Sequence, residues 1–524
     1  PFARIAPPTM DQRMTHFRKI RPVAWGSRWT FILAATGAAI GLGNIWRFPY
    51  LVAEYGGGSF LLLYLLCLFI IGVPLLLAEV AIGRHTRQDP ANALALASTE
   101  NGLSPAWAWV GRLSIVGGLL VMSIYSVVGG LALAYVGQSA LGAFDDATPL
   151  YVAKLFSLIT GDATSLTLWH SLFLLLVAFI SSRGVTPGLE RAARVIMPIL
   201  FLLLIVLLLY ALNTGNAHRA VDTMLQFNPQ DLSFRAIAAA MTHAFFTLSV
   251  GMGAMMVLGA YMPGTAPLGP SVALIALLDT LVALVAGLLI FALVPIGDAD
   301  ATSGFGLIFH AMPTALGHSE VGHVAATAFF LVIALAAWSS AIAAVEPAVA
   351  WFSARTAWPR RYDVWCVCAL VWALGMGSVW SFNRWQALTW LGQSYFAWMN
   401  ILTSGLLLPV AGLLLAAFVG RKVDATWQAR VLGLRSPHLL TLWRASMRYL
   451  IPALILLVVV HTWGEFGRRL CEDAPLFWCA SSDAPLDVGA VVPEDNRQSL
   501  PEAEVPVLSP ENSNAEEPEN ESTY

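Results

Sequence analysis

The chain has 524 residues, of which 57% are hydrophobic and only 12% charged, with a formal net charge of -3 and a mean hydropathy of +0.69. Soluble globular domains do not have this composition, so the chain is an integral membrane protein. The basic residues are dispersed along membrane edges, which excludes nucleic acid as a partner.

A bilayer core takes about 20 apolar residues per helix. Eleven such segments follow an N-terminal stretch of residues 1–27, near 28–52, 59–83, 110–140, 165–182, 190–212, 236–262, 269–296, 322–352, 363–381, 393–419 and 442–466. With the N-terminus inside, 21 Lys and Arg lie on the inner side and 7 on the outer, and Arg47 within segment 1 completes the 29. That bias predicts a cytoplasmic N-terminus and, after eleven crossings, an outer C-terminus in a multi-pass cell membrane protein, most simply of a bacterial inner membrane. Segment 1 is too long for a cleavable signal and serves as its own insertion signal. Residues 467–524 read as an acidic, Pro-rich, disordered tail. Cys471 and Cys479 flank a short stretch of it, either as a disulfide or as free thiols.

Two apolar segments are interrupted. Segment 1 contains "GAAIGLGN", Gly37 to Asn44, and segment 6 contains "FFTLSVGMGA", Phe245 to Ala254. Gly37 and Gly41 also have the spacing of a helix-packing pair. The second interruption, however, falls at the corresponding place five segments later. Segments 1–5 (28–212) and 6–10 (236–419) therefore read as repeats of opposite orientation with paired discontinuous helices. Unwound turns leave carbonyls that suit a cation and N–H groups that suit a carboxylate. Asn44 adds a side-chain oxygen. Asp279 is the sole charge in segment 7; a central carboxylate costs about 2.5–3.5 kcal/mol on insertion scales, so it should face a cavity with a partner.

The stretch "GSRWTFILAATGAAIGLGNIWRFPYLVAEYGGGSFLLLYLL" closely resembles helices 1 and 2 of the neurotransmitter:sodium symporter family, particularly its bacterial amino-acid transporters. "HAFFTLSVGMGA" is similar to the family's helix 6, and "RGVTPGLERAARVIMP" to its loop and helix 5. The resemblance implies an all-α fold of eleven transmembrane helices and two sodium ions. The first would be held by the Ala39 carbonyl, Asn44, Thr247 and Asp279, and the second by the carbonyls of Gly37, Ile40 and Ala336 with Ser339 and Ser340. Substrate-binding positions would be Ala38, Leu42, Gly43, Val121, Tyr125, Phe246, Ser249, Met252, Ser340 and Ala344. Tyr125 matches the tyrosine that binds the substrate carboxylate, and the small, apolar remainder suits a neutral hydrophobic amino acid, aliphatic or aromatic. Glu79 matches an acid that hydrogen-bonds the unwound backbone, and Glu346 is assigned a polar role on the inner side of helix 8. Gly188 and Pro198 match a motif linked to unwinding of helix 5.

The gates depart from the family pattern. Arg47 would face Asn400 where the family has an aspartate, with His243 nearby. On the inner side Trp25 matches, but the usual arginine is replaced by Pro22, with Arg21 one step away, and its aspartate by Ala354. Trp25 and Tyr261 are then left to close that side by packing.

The expected function is sodium-coupled, chloride-independent import of neutral hydrophobic amino acids by alternating access, with Asp279 as the fixed negative charge. Alternatives are a proton-coupled transporter of the same fold and a sodium-dependent sensor that does not transport. No enzymatic activity and no organic cofactor are expected, since no metal-protease motif or nucleophile and base pair is present. Nothing in the sequence fixes an oligomeric state.

Overall fold

A computed structural model describes residues 24–295, 304–318, 321–433 and 436–473. Arg21, Pro22, Cys479 and the acidic tail beyond 473 lie outside the described residues, as does the side chain of Cys471. Among the described residues nine continuous helices are long and apolar enough to cross a membrane: α2 (Gly58–Thr86), α3 (Pro105–Ala140), α4 (Ala163–Ser182), α5 (Val185–Thr214), α7 (Leu268–Leu293), α8 (Gly322–Ser353), α9 (Arg360–Ser381), α10 (Tyr395–Lys422) and α11 (Pro437–Arg468). A tenth span, α1, consists of Arg28–Ala39 and Gly43–Glu54, bent by 53° at its break. The halves of α6, Phe234–Thr247 and Ala254–Ala260, flank residues 248–253 and complete the eleven. Segments 3 and 11 begin about five residues earlier than hydropathy predicts, because Ser104 and Ser436 cap helical turns there.

The breaks follow from local chemistry. At the first, Ile40 is extended (φ -69°, ψ 106°) while its N–H still donates to the Thr36 carbonyl at 2.7 Å. The chain re-enters a helix through a π turn, Gly43–Arg47. In the second, Ser249, Gly251 and Gly253 have positive φ of 52°, 84° and 73°. Glycine adopts that region without strain; Ser249 is held there by donating its hydroxyl to the Ala38 carbonyl at 2.8 Å.

The helices surround a buried centre and turn other side chains towards lipid. Leu202, Ile205, Val206 and Leu209 of α5 are exposed, as expected of a membrane-facing stripe. Short helices join the spans: Pro90–Glu100, capped by Asp89, follows α2. Close packing of α2 on the second half of α6 depends on Gly83, where a Cβ would overlap the Met256 carbonyl oxygen. The Arg87 guanidinium donates to the Ala260 carbonyl at 2.7 Å, closing the same half-helix at its C-terminal end. Replacing Gly83 with alanine should therefore cost about 1–3 kcal/mol of stability. A lowered melting temperature of the purified protein, beside one that does not fall for Gly269→Ala where open space surrounds the site, would register it.

Candidate functional site

Both breaks face one cavity of about 30 Å³, lined by Ala38, Ala39, Gly41, Gly43, Val121, Met122, Tyr125, Phe246, Thr247, Ser249, Met252, Ser340 and Ala344. Nine of the ten expected substrate positions are among them. Leu42 is the exception: its side chain lines a larger outer cavity. Its backbone N–H, released by the break, donates to the Tyr125 hydroxyl at 3.0 Å. A Cβ at Gly41 would overlap that hydroxyl and lie 2.8 Å from Ser340 Oγ, so the backbone approaches both only because residue 41 has no side chain. One end of the cavity thus carries N–H and hydroxyl donors, and the other is apolar.

The residues expected at the first sodium are brought together. Asn44 Nδ2 donates to Asp279 Oδ1 at 2.8 Å, and Thr247 Oγ1 donates to Asp279 Oδ2 at 2.9 Å. Asn44 Oδ1 accepts from the Gly41 N–H at 3.2 Å. Asp279 is fully buried, and Tyr64, absent from the sequence expectation, places its hydroxyl beside the same carboxylate. Ala39 lines the cavity next to this cluster.

The second group converges as tightly. Ser339 Oγ lies 3.0 Å from the carbonyl oxygens of Gly37 and Ala336. Ser340 Oγ lies 3.1 Å from the Gly37 carbonyl oxygen and 2.8 Å from that of Ile40. The two hydroxyls thus link with the three carbonyls of the five expected residues into one hydrogen-bonded group of hard, uncharged oxygens, the donor chemistry of a small alkali cation.

The α6 break is buttressed from outside the cavity. The Gly251 N–H donates to Glu79 Oε1 of α2 at 2.7 Å, the contact expected for Glu79. A Cβ on Gly251 would lie 2.7 Å from the Leu408 carbonyl oxygen of α10.

On the side expected to be outer, a cavity of about 340 Å³ is lined by residues including Trp46, Arg47, Tyr50, Phe305, Phe396 and Asn400. Arg47 sits over the Phe246 ring at 5.6 Å, and among the described residues it makes no ion pair and no hydrogen bond to Asn400. Both residues line the cavity wall. His243 lies below, fully buried, its ring 5.2 Å from that of Tyr64 and 5.8 Å from that of Phe48.

The opposite side, expected to be inner, is closed by direct contacts. The Trp25 and Tyr261 rings meet edge to face at 6.0 Å, the Trp25 N–H donates to the Tyr261 carbonyl at 2.9 Å, and Trp25 Nε1 to the Leu258 carbonyl at 3.0 Å. Packing is not the whole closure. The Tyr261 hydroxyl donates to Glu346 Oε1 at 2.9 Å, and Arg360 Nη2 to Glu346 Oε2 at 2.5 Å. Arg360 had no role in the sequence reading; its place next to Pro359, at the start of α9, looks like an ordinary membrane-edge charge. The Gly26 N–H also donates to Glu190 of α5, at 3.1 Å. Gly188 lies within the π turn Val185–Glu190, where a Cβ would overlap the Ile180 carbonyl oxygen, and Pro198 lies inside the following helix.

A profile of the Sodium:neurotransmitter symporter family matches residues 22–148 and 150–470. The uncharacterized sodium-dependent transporter YhdH of Bacillus subtilis is 30% identical over 85% of this chain and 98% of its own length. The sodium-dependent transporter MJ1319 of Methanocaldococcus jannaschii is 28% identical over 75% of this chain and 80% of its own. Among solved structures, that of MhsT in complex with L-phenylalanine superposes with a TM-score of 0.77 at 32% identity, over 84% of this chain and 99% of that one. With two broken helices facing one cavity and this likeness along nearly all its spans, the chain belongs to the sodium:neurotransmitter symporter family.

Proposed function

We propose that the protein is a sodium-coupled symporter importing neutral hydrophobic amino acids by alternating access, with its N-terminus cytoplasmic. The observation that carries this reading is the convergence of five neutral oxygens from Gly37, Ile40, Ala336, Ser339 and Ser340 beside a cavity with donors at one end and apolar walls at the other. The amino acid's carboxylate meets the α1 break and Tyr125. Its side chain lies against Val121, Phe246, Met252 and Ala344. A cavity of about 30 Å³ matches roughly one water, so Phe246 and Met252 must swing aside for a side chain to enter. The bound L-phenylalanine of the structural neighbour supports the substrate class.

Sodium is cargo here. One ion takes the Ala39 carbonyl, Asn44, Thr247 and Asp279, with the substrate carboxylate completing its shell; the other takes the five converging oxygens, whose hydroxyls turn their lone pairs inward. A tenfold gradient supplies about 1.4 kcal/mol per ion and 100 mV about 2.3 more. Two ions thus supply about 7 kcal/mol, enough to concentrate a neutral substrate strongly. Asp279 provides the fixed negative charge, which makes chloride dispensable. Arg47 closes the outer side over Phe246 with Asn400 as acceptor. Inward opening separates Trp25 from Tyr261, as α5 unwinds between Gly188 and Pro198.

Proteoliposomes loaded without sodium test the reading. Uptake of labelled neutral amino acids should require external sodium and be indifferent to replacing chloride with gluconate. Uptake that survives in potassium and follows a pH gradient would instead establish the proton-driven form, and sodium-dependent binding without flux would establish a sensor. Ser340→Ala should raise the sodium concentration for half-maximal uptake at least tenfold, about 1.4 kcal/mol, while an unchanged value would remove Ser340 from the ion site. Asp279→Asn should likewise weaken sodium and make residual uptake respond to chloride. A chloride-dependent wild type would dismiss the role given to Asp279.

A further inference from the structure

The apolar end of the cavity, between Val121, Met252 and Ala344, is backed by a helix outside the set that carries the site. Leu408 of α10 is buried and forms one cluster with Val121 and Met252, against which Phe246 packs. Two glycines let it come so close. A Cβ on Gly117 of α3 would lie 3.5 Å from Leu408 Cδ1, and one on Gly251 would lie 2.7 Å from its carbonyl oxygen.

Leu408 is also fixed from behind. It follows the π turn Thr403–Leu407 and precedes Pro409. Proline has no N–H to give the Gly405 carbonyl, which instead accepts from Trp463 Nε1 of α11 at 3.2 Å. With α11 on one side and the α6 break on the other, the Leu408 backbone has nowhere to retreat. Met252, by contrast, is unbranched and can change rotamer. On the α3 wall Gly118 has no side chain, and a Cβ there would lie 3.3 Å from the Met252 carbonyl oxygen. The mobile wall of the pocket is therefore Met252, and the fixed stop behind it is Leu408.

We propose that Leu408 is a specificity-determining residue: it limits how far Met252 can swing back, and so sets the largest side chain the pocket admits. The inference rests on the amino-acid transport reading above. Removing carbon from the stop deepens the pocket, and a methylene or more in an apolar pocket changes discrimination by roughly tenfold or above.

The test is competition by tryptophan and by leucine against sodium-dependent uptake of labelled phenylalanine, for wild type, Leu408→Ala and Leu408→Val. The ratio of half-inhibitory concentrations, tryptophan over leucine, should fall roughly tenfold in Leu408→Ala and less, in the same direction, in Leu408→Val. The sodium dependence should not move in either. An unchanged ratio in the variants that still take up phenylalanine overturns the role of Leu408; if Leu408→Ala does not fold, Leu408→Val alone decides it. Phenylalanine uptake absent from the wild type overturns the transport reading itself.

Discussion

Hydrocarbon offers no hydrogen bonds, so every backbone group that leaves a transmembrane helix must find a partner within the protein. The site depends on this constraint. The interruption of α1 releases groups that turn to Tyr125, Asn44, Ser339 and Ser340. The interruption of α6 releases the Gly251 N–H, which Glu79 receives. Apart from Asn44 of α1 itself, the compensating groups come from α2, α3 and α8. Closing the two breaks thus draws these three helices around the centre.

Electrostatics divides the centre into two kinds of oxygen. Around Asp279 a carboxylate is met by an amide and a hydroxyl. Around Ser339 and Ser340 there are only dipoles, without a carboxylate among the five residues. Carboxylates attract cations by charge and neutral oxygens by fit, so the two places differ in what they ask of the helices that build them. The neutral oxygens come from α1 and α8 alone.

Much of this was legible in the sequence. The eleven spans and the breaks follow from apolar runs and their interruptions, and nine of the ten positions that the family resemblance implied line the cavity. Leu42 was expected for its uncovered backbone N–H, and that group does turn to Tyr125 while the residue lines the outer cavity. Arg360 and Tyr64 went unseen for another reason: Tyr64 of α2 meets Asp279 from a helix far away in the chain, and Arg360 meets Glu346 across the connection from α8 to α9, so neither carries a local pattern. The gate positions showed the limit most clearly. The replacements at Ala354 and Asn400 pointed to weakened closure on both sides, whereas Glu346 and Arg360 supply the inner side with a buried ion pair.

The two sides are consequently unequal. The inner face is latched by an ion pair, a tyrosine hydroxyl and an indole, while the outer face leaves Arg47 over an aromatic ring beside a cavity of about 340 Å³. Parting Trp25 from Tyr261 would break charge-assisted bonds, whereas among the described residues the Arg47 side holds none of comparable strength. Of two opposite openings the one beside Arg47 is therefore the easier, and it decides from which face a small solute first reaches the centre.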